Sequence, residues 1–294
     1  MPTAAPPPPP PVRCRQIRLA DQEPVADLLA RGFPERSLGF WRQSLQTLAE
    51  RSVPPGFPQF GYMLESSGVP VGVVLIIAAS IHQQAEVAYR CNLSSWFVES
   101  AFRAHASALI QHALKRHPAA YINITASRHT WTTIEAQGFS RYSDGMFLGV
   151  PALASSKHSV LVHAARPDQP VAEAIPPAER DLMADHAKYG CISLWCETAD
   201  GVYPFIFARR RLKKIVPYAQ LIYCRSIDDF VRFAGPIGRH LARRGLPLVM
   251  FDANGPAPGI PGRYLKDRMP KFFSGSPRPR LGDLTNTEVV LFGI

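Results

Sequence analysis

A β-hairpin with one wholly apolar arm is the sequence feature that most restricts the fold. Gly61–Ser66 has the pattern of a strand, Ser67-Gly68 that of a tight turn, and Val71–Ala79 forms a second arm without a polar side chain. A strand with one face in water would alternate apolar and polar residues, so an arm of this kind belongs inside a sheet that is covered on both faces. The chain must therefore supply helices for those faces.

Helical patterns lie on both sides of this hairpin. Two amphipathic segments precede it, one ending at Gly32 and one beginning at Ser37. A strand over Glu86–Val98 and a helix from about Arg103 to Arg116 follow it. With the shorter elements up to Val150, the order is strand, two helices, three strands, helix, strand, helix, strand. This order predicts an α/β (α+β) fold in which a mixed, mostly antiparallel twisted sheet is flanked by helices.

The second half repeats this plan without sharing motifs with the first. Its predicted elements are a helix over 178–189, a hairpin over 192–208, strands at 220–224 and 248–252, a helix capped by Ser226 between them, and a last strand at 289–292. We therefore predict four regions: a disordered proline-rich tail at 1–12, a first unit at 13–150, a linker or crossover at 151–177, and a second unit at 178–294.

Composition excludes several classes of protein. Hydrophobic residues make up 46% of the chain and charged residues 19%, which is typical of a globular protein. The net charge of +10 favours anionic partners. The longest apolar stretch is too short to span a membrane, and the N-terminus does not have the pattern of a signal peptide. The five cysteines include no CxxC pair, which predicts buried thiols and no metal site. We expect a cytoplasmic monomer or homodimer.

The segment from Trp96 to Leu109 contains the residues with the clearest chemical meaning. It leaves a strand at Val98 and enters a helix near Arg103, with small residues at Ala104, Ala106 and Ala108. A helix N-terminus offers unpaired N–H groups and the positive end of the helix dipole. Small side chains let a diphosphate approach those groups, and an arginine adds charge. The alternative is an amphipathic helix that binds no ligand.

This turn resembles the acyl-CoA loop of the GNAT acyltransferase superfamily, which typically runs Val-x-Pro-x-Tyr-Arg-x-x-Gly-x-Gly/Ala. Val98, the aromatic Phe102, Arg103 and small residues at both Gly/Ala positions match, whereas Ser100 replaces Pro and Ala106 replaces the usual Gly. The opening segment Ile17–Asp21 and the Gly138-Phe139 turn are similar to further family segments, in the right order. The resemblance covers roughly residues 13 to 150.

The resemblance implies acyl-CoA or acetyl-CoA as co-substrate, no metal, and transfer of an acyl group to an amine or hydroxyl of a small-molecule or amine acceptor. It does not imply a nucleic-acid partner. Val98 would present its backbone to the pantetheine arm, and backbone amides from about Phe102 to Ala108 would hold the pyrophosphate. The residues that we predict to bind the cofactor are Phe97, Val98, Phe102, Arg103, Ala104, His105, Ala106, Ser107 and Ala108.

The catalytic residues are less defined. Many family members have a tyrosine that protonates the leaving thiolate, but the matching position here is Ile134. Glu99, Ser127 and His129 are candidates for proton transfer, and each also has an ordinary loop, capping or surface explanation. A non-catalytic acyl-CoA sensor or scaffold is therefore the alternative function. A Fem-type transferase is disfavoured because the chain has a coenzyme A turn and lacks a coiled-coil arm.

The second half lacks an equivalent of this turn. Asp228 and Asp229 occupy the matching helix start, where they would repel a pyrophosphate. The resemblance therefore predicts a tandem architecture with a degenerate second copy. Two basic segments have no assigned role. The run Arg209–Lys214 is interpreted either as a solvated turn or as a binding site for an anion. The segment Gly259–Arg268 is interpreted as a loop, in which Arg263 and Tyr264 are candidates for an acceptor site.

Overall fold

The computed structural model describes residues 11–83, 86–115, 117–156, 160–165, 172–213 and 215–293. These residues form twelve strands and eight α-helices. The strands are β1 (Val12–Gln16), β2 (Gly61–Ser66), β3 (Val69–Gln83), β4 (Glu86–Val98), β5 (Ala120–Asn123), β6 (Ser140–Gly149), β7 (Leu161–Ala164), β8 (Ile192–Thr198), β9 (Gly201–Leu212), β10 (Val216–Cys224), β11 (Leu248–Ala253) and β12 (Gly262–Ser274). The α-helices are α1 (Gln22–Gly32), α2 (Leu38–Ala49), α3 (Ala106–Leu114), α4 (Trp131–Ala136), α5 (Pro177–Ala187), α6 (Ile227–Arg232), α7 (Ala234–Ala242) and α8 (Glu288–Leu291). The predicted mixed α/β class is confirmed.

The chain divides into two compact units. The described residues up to Ile81 and within Ala88–Tyr121 belong to the first unit, and those within His82–Val87 and from Ile122 onward belong to the second. Most of the predicted proline-rich tail lies outside the described residues, although β1 begins at Val12. The domain limits drawn from the sequence stay a prediction.

In the first unit the strands lie in the order β1-β2-β3-β4, and β4 is bordered by β5, whose first two residues belong to this unit. The predicted hairpin is present, with β2 antiparallel to β3. Every residue from Val73 to Ala78 is at most 2% exposed, as expected for a strand covered on both faces. The buried faces of α1 and α2 follow helical spacing, and the Ser37 hydroxyl caps α2 by accepting the N–H of Phe40 at 3.2 Å.

The second unit repeats the strand order of the first. Its strands lie in the order β7-β8-β9-β10-β11-β6-β12, so β7 to β11 follow one another as β1 to β5 do. A helix joins β7 to β8, and α6 with α7 joins β10 to the parallel strand β11. Strand β6 pairs antiparallel with both β11 and β12, so it lies within the second unit. The repeat predicted from element order is therefore visible in the topology.

Two elements differ from the sequence predictions. The predicted strand at Val289–Phe292 is wrong, because Glu288–Leu291 form a single buried helical turn in which the Thr287 carbonyl accepts the N–H groups of Val290 and Leu291. The predicted loop at Gly259–Arg268 is also wrong over most of its length, since β12 begins at Gly262. Pairing with β6 stabilises this charged segment as a strand, which its own sequence does not favour.

Candidate functional site

The predicted strand-to-helix turn follows β4 directly. Val98 ends the strand, and the N–H of Glu99 donates to the carbonyl of Val71 on β3 at 2.9 Å. Ser100–His105 then form a 3-10 helix that continues into α3. The helical segment therefore begins three residues before the predicted start near Arg103, and its first turns are of the tighter kind.

This 3-10 segment determines which backbone N–H groups are available to a ligand. The N–H of Phe102 donates to the Glu99 carbonyl at 2.9 Å, and the N–H of Ala106 donates to the Arg103 carbonyl. The N–H groups of Ser100 and Ala101 precede the first of these internal bonds, so helical geometry leaves them without an intrahelical partner. Sequence reasoning missed these two residues because it placed the helix start at Arg103.

The end of β4 is fixed against the C-terminal end of α1. A Cβ atom on Gly32 would lie only 2.4–2.7 Å from the ring of Phe97, so any larger residue at this position would force the ring to shift. One residue earlier, Arg31 Nη2 lies 2.9 Å from Glu99 Oε1. The Phe33 ring also contacts Phe97, with centroids 6.2 Å apart. Together these contacts set the direction in which the chain leaves the strand.

Strand β4 contains a residue of unusual conformation shortly before it ends. Ser95 has a φ of 50°, a left-handed conformation that is uncommon for a residue with a side chain. The Ser94 and Ser95 hydroxyls lie 3.0 Å apart, and Ser94 is buried. Left-handed residues within strands often mark bulges, which are common next to functional sites.

The side chains of the turn are mostly open to solvent. Val98 is buried, whereas Phe97, Phe102 and Ala106 are half-buried. The exposed members of the predicted cofactor-binding set are Arg103, Ala104, His105, Ser107 and Ala108. All nine residues lie on one continuous strand end and helix start. Their assignment to the cofactor stays a prediction.

The three candidate catalytic residues are not part of one cluster in either unit. Glu99 belongs to the first unit and pairs with Arg31. Ser127 and His129 belong to the second unit and are exposed at a short 3-10 turn, Arg128–Thr130, where the Ser127 carbonyl accepts the N–H of Thr130 at 2.9 Å. The hydrogen bond between these two residues is therefore the one that an ordinary local turn makes.

Ile134 lies on α4 in the position where the family has its acid. Its side chain is 3% exposed and packs as a core residue. An aliphatic side chain has no proton to donate. The structure therefore offers no substitute acid at this residue.

A fully buried pair of opposite charges was not predicted from the sequence. Lys271 Nζ on β12 lies 2.7 Å from Asp252 Oδ1 on β11, and the side chains are 1% and 2% exposed. Burial raises the pKa of the Asp252 carboxyl, and the charge of Lys271 works against that rise. The only sequence signal for this pair was Asp252 at the end of a predicted strand.

The described part of the chain offers little for binding a metal ion or for chemistry at a cysteine thiolate. Among those residues no group of three or more His, Cys, Asp or Glu is placed to hold a metal ion. None of the five cysteines, all of which are described, forms a disulfide, and Cys91, Cys196 and Cys224 are buried. Burial raises the pKa of each of these three thiols to about 12. The prediction of buried thiols is confirmed for these three residues.

No helix in the described ranges is both long enough and apolar enough to cross a membrane.

Comparison with known proteins identifies the fold. No family profile and no curated protein sequence matches the chain. A solved GCN5-related N-acetyltransferase from Anabaena variabilis is similar, with a TM-score of 0.59 and 11% identity over 90% of this chain and 72% of that one. A probable N-acyltransferase from Enterococcus faecalis gives a TM-score of 0.56 and 9% identity over 94% and 74%. A putative acetyltransferase from Pyrococcus horikoshii gives 0.52 and 10% over 94% and 93%.

Structural similarity at such low sequence identity establishes the fold but does not show which activity the protein has. The resemblance that the turn after β4 predicts is confirmed at this level. This chain has the fold of the GNAT acyltransferases.

Proposed function

We propose that the protein transfers an acyl group from acyl-CoA to an amine or hydroxyl acceptor, with the turn after β4 as the acyl-CoA site. The observation that carries this proposal is the turn itself. A strand with a left-handed residue near its end leads directly into a helix start that has an exposed arginine and small side chains, within a fold shared with solved N-acetyltransferases.

The pyrophosphate would lie at the start of the 3-10 segment. The N–H groups of Ser100 and Ala101 have no intrahelical partner there, and the positive end of the helix dipole favours an anion. Arg103 and His105 are exposed in the same segment and can add hydrogen bonds from their side chains. The small residues Ala101 and Ala104 leave the backbone accessible.

The pantetheine arm would follow the end of β4. Ser95 has a left-handed conformation three residues before Val98, and backbone groups in this stretch would pair with the amides of the ligand. Packing of Phe97 on Gly32 holds this stretch in place. Acyl-CoA supplies an activated thioester when bound, and the contribution of these residues is to position it.

Loss of a proton from the attacking amine requires a base or a water chain. Glu99, Ser127 and His129 are the candidates that the sequence provides. Of these three, Glu99 is already held in an ion pair, with its Oε1 atom 2.9 Å from Arg31 Nη2.

A non-catalytic acyl-CoA-binding protein is the second candidate. The buried Ile134 favours it, because the residue that protonates the thiolate in many family members is replaced by an aliphatic core residue. This reading predicts binding of acyl-CoA without cleavage of the thioester.

Calorimetric titration with coenzyme A tests the site. We expect Arg103→Ala to weaken binding about tenfold through loss of a charge-assisted contact, and Ala106→Glu to weaken it at least as much through repulsion. Arg13→Ala and Ala20→Glu make the same changes at exposed positions of the first unit and should bind like the parent. If Arg103→Ala and Ala106→Glu also bind like the parent, the site is wrong.

A second experiment separates the two candidate functions. Acetyl-CoA is incubated with the protein and pools of amines and alcohols, and released coenzyme A is detected with a thiol reagent. Release that depends on an acceptor supports the transferase. Binding of coenzyme A without any release supports the non-catalytic protein.

A further inference from the structure

A groove in the second unit brings together the two basic segments that the acyl-CoA proposal leaves unexplained. Its volume is about 630 Å³, within the usual range for small-molecule sites. The end of β9 lines one part of it, and the first half of β12 lines another. Strands β6 and β11 contribute its floor through Leu148 and Met250.

The floor is apolar because of strand register. Leu148 lies opposite Met250 on β11 and opposite Arg263 on β12. Residues directly opposite one another share a face of the sheet. The neighbouring residues Phe147 and Phe251 belong to the hydrophobic core on the other face. An aliphatic surface is therefore left at the base of the groove, on the same face of the sheet as Arg263.

The run Arg209–Lys214 contributes one wall. It was predicted as a turn, but β9 extends to Leu212, and Lys213 follows with a left-handed φ of 48°. Lys214 lies outside the described residues. Leu212 and Lys213 both border the groove, with Lys213 exposed.

A bulge in β12 forms the other wall. Between Lys266 and Lys271 this strand takes five residue steps where β6 takes two, from Gly145 to Ser143. Asp267 and Met269 adopt left-handed φ values of 57° and 50° within it. Bulges re-aim side chains away from the ladder. Lys266 and Arg268 are exposed at the rim of the groove as a result.

The charge of the groove is not balanced from within. Its carboxylate, Asp267, accepts a hydrogen bond from Arg141 Nη1 at 3.0 Å and is thus already paired. Over the ranges that the structure describes, Lys213, Arg263, Lys266 and Arg268 make no ion pair with any residue. Four cations around an aliphatic floor match an anion that also has an apolar part.

We propose that this groove binds a small phosphate ester whose apolar group lies on Leu148 and Met250 while its phosphate lies among Arg263, Lys266 and Arg268. A phosphate monoester has close to two negative charges and three acceptor oxygens, so it can satisfy several cations together. This site is in the second unit and does not depend on the acyl-CoA proposal, which concerns the first.

Titration with n-hexyl phosphate and methyl phosphate tests the proposal. We expect one hexyl phosphate per chain, bound at least tenfold more tightly than methyl phosphate because of its buried methylene groups. Arg263→Gln and Arg268→Gln should each weaken binding about tenfold. Arg243→Gln removes the same charge at an exposed position on the loop after α7 and should leave the affinity unchanged. Leu148→Ala should reduce the preference for hexyl over methyl phosphate.

Three results would overturn the proposal. Equal affinity for the two esters would show that the apolar floor does not contact the alkyl chain. If Arg243→Gln weakens binding as much as Arg263→Gln and Arg268→Gln do, the affinity depends on net charge alone. Binding to vesicles that contain phosphatidylglycerol, sensitive to Arg263→Gln and without binding of hexyl phosphate, would assign the surface to a membrane. Thermal unfolding of each variant confirms that it is folded before its affinity is compared.

Discussion

Lys271 and Asp252 form an ion pair of 2.7 Å in the interior of the second unit, joining β12 to β11 across β6. Lys271 Nζ also lies 3.4 Å from the carbonyl of Met269, inside the bulge. The pair therefore fixes the point at which β12 returns to its ladder with β6. Because both side chains are at most 2% exposed, neither charge can be solvated if the other is removed.

We expect Lys271→Met to lower the free energy of unfolding by about 3–5 kcal/mol, since it leaves the Asp252 carboxylate buried without a counter-charge. Denaturant unfolding measures this change. Lys266→Met removes the same charge at an exposed position of the same strand and should change stability by less than about 0.5 kcal/mol. Equal effects of the two variants would show that the pair is solvated in solution.

A double variant, Lys271→Met with Asp252→Leu, separates the pair from its surroundings. Apolar replacements of buried ion pairs are often neutral or stabilising. We therefore expect the double variant to be more stable than Lys271→Met alone. A double variant that is less stable than Lys271→Met would show that the unpaired Asp252 carboxylate is not the cause of the loss in the single variant.

Much of the fold could be predicted because local patterns determine it. The apolar arm Val71–Ala79 predicted a buried strand, and Ser37 and Ser226 predicted helix starts at which each hydroxyl does accept a backbone N–H. Each of these signals depends on residues within a few positions of one another, where sequence patterns are informative.

The features that could not be predicted depend on distant partners. Strand β12 contains charges and a proline, so only its pairing with β6 identifies it as a strand. In sequence alone Lys271 reads as a surface residue, because lysine is rarely buried unless it is paired. The 3-10 start of the helix at Ser100 follows a strand end that packs on Gly32, a residue distant in the sequence.

Four of the five cysteines should react slowly with thiol reagents in the folded protein, because burial keeps their thiols protonated. Burial raises the pKa values of Cys91, Cys196 and Cys224 to about 12 and that of Cys191 to about 11, so at pH 8 these groups are almost wholly protonated. We expect the folded protein to react slowly with a thiol reagent at these four positions, leaving Cys14 as the site of any fast reaction. All five should react after denaturation. Fast reaction of two or more thiols in the folded protein would contradict this burial.

The carboxyl of Asp200 should have an unusually low pKa. The Thr198 hydroxyl donates to it, and Arg232 Nη2 lies 2.9 Å away, which lowers its pKa from 3.8 to about 2. Because the folded pKa is below the unfolded one, the stability that this carboxylate contributes is complete above about pH 4 and is lost as the pH falls toward 2.

Carboxyl NMR titration checks this value. Thr198→Val removes the larger cause and should raise the pKa of Asp200 more than Arg232→Gln does. Arg239→Gln is a matched change elsewhere in the second unit and should leave the pKa unaltered. A pKa near 3.8 in the parent protein would show that these contacts do not persist in solution.

Gly32 connects the fold to the proposed acyl-CoA site. An added methyl group would lie 2.4–2.7 Å from the ring of Phe97, so Gly32→Ala must displace the residue next to Val98. We expect a loss of about 1–3 kcal/mol in the free energy of unfolding, as for other overpacked cores, together with weaker coenzyme A binding. Gly39→Ala is the matched control, because Gly39 is also helical and the nearest atom to its added methyl is Ser37 Oγ at 3.8 Å.

The two variants should therefore change stability in opposite directions. Alanine is the better helix former, so Gly39→Ala should stabilise the protein by up to about 1 kcal/mol, whereas at Gly32 the clash outweighs that gain. A Gly32→Ala protein that is stabilised like Gly39→Ala would show that Phe97 does not pack on Gly32. If Gly32→Ala is destabilised but binds coenzyme A like the parent, Phe97 anchors β4 without positioning the cofactor, and the pantetheine arm must lie elsewhere.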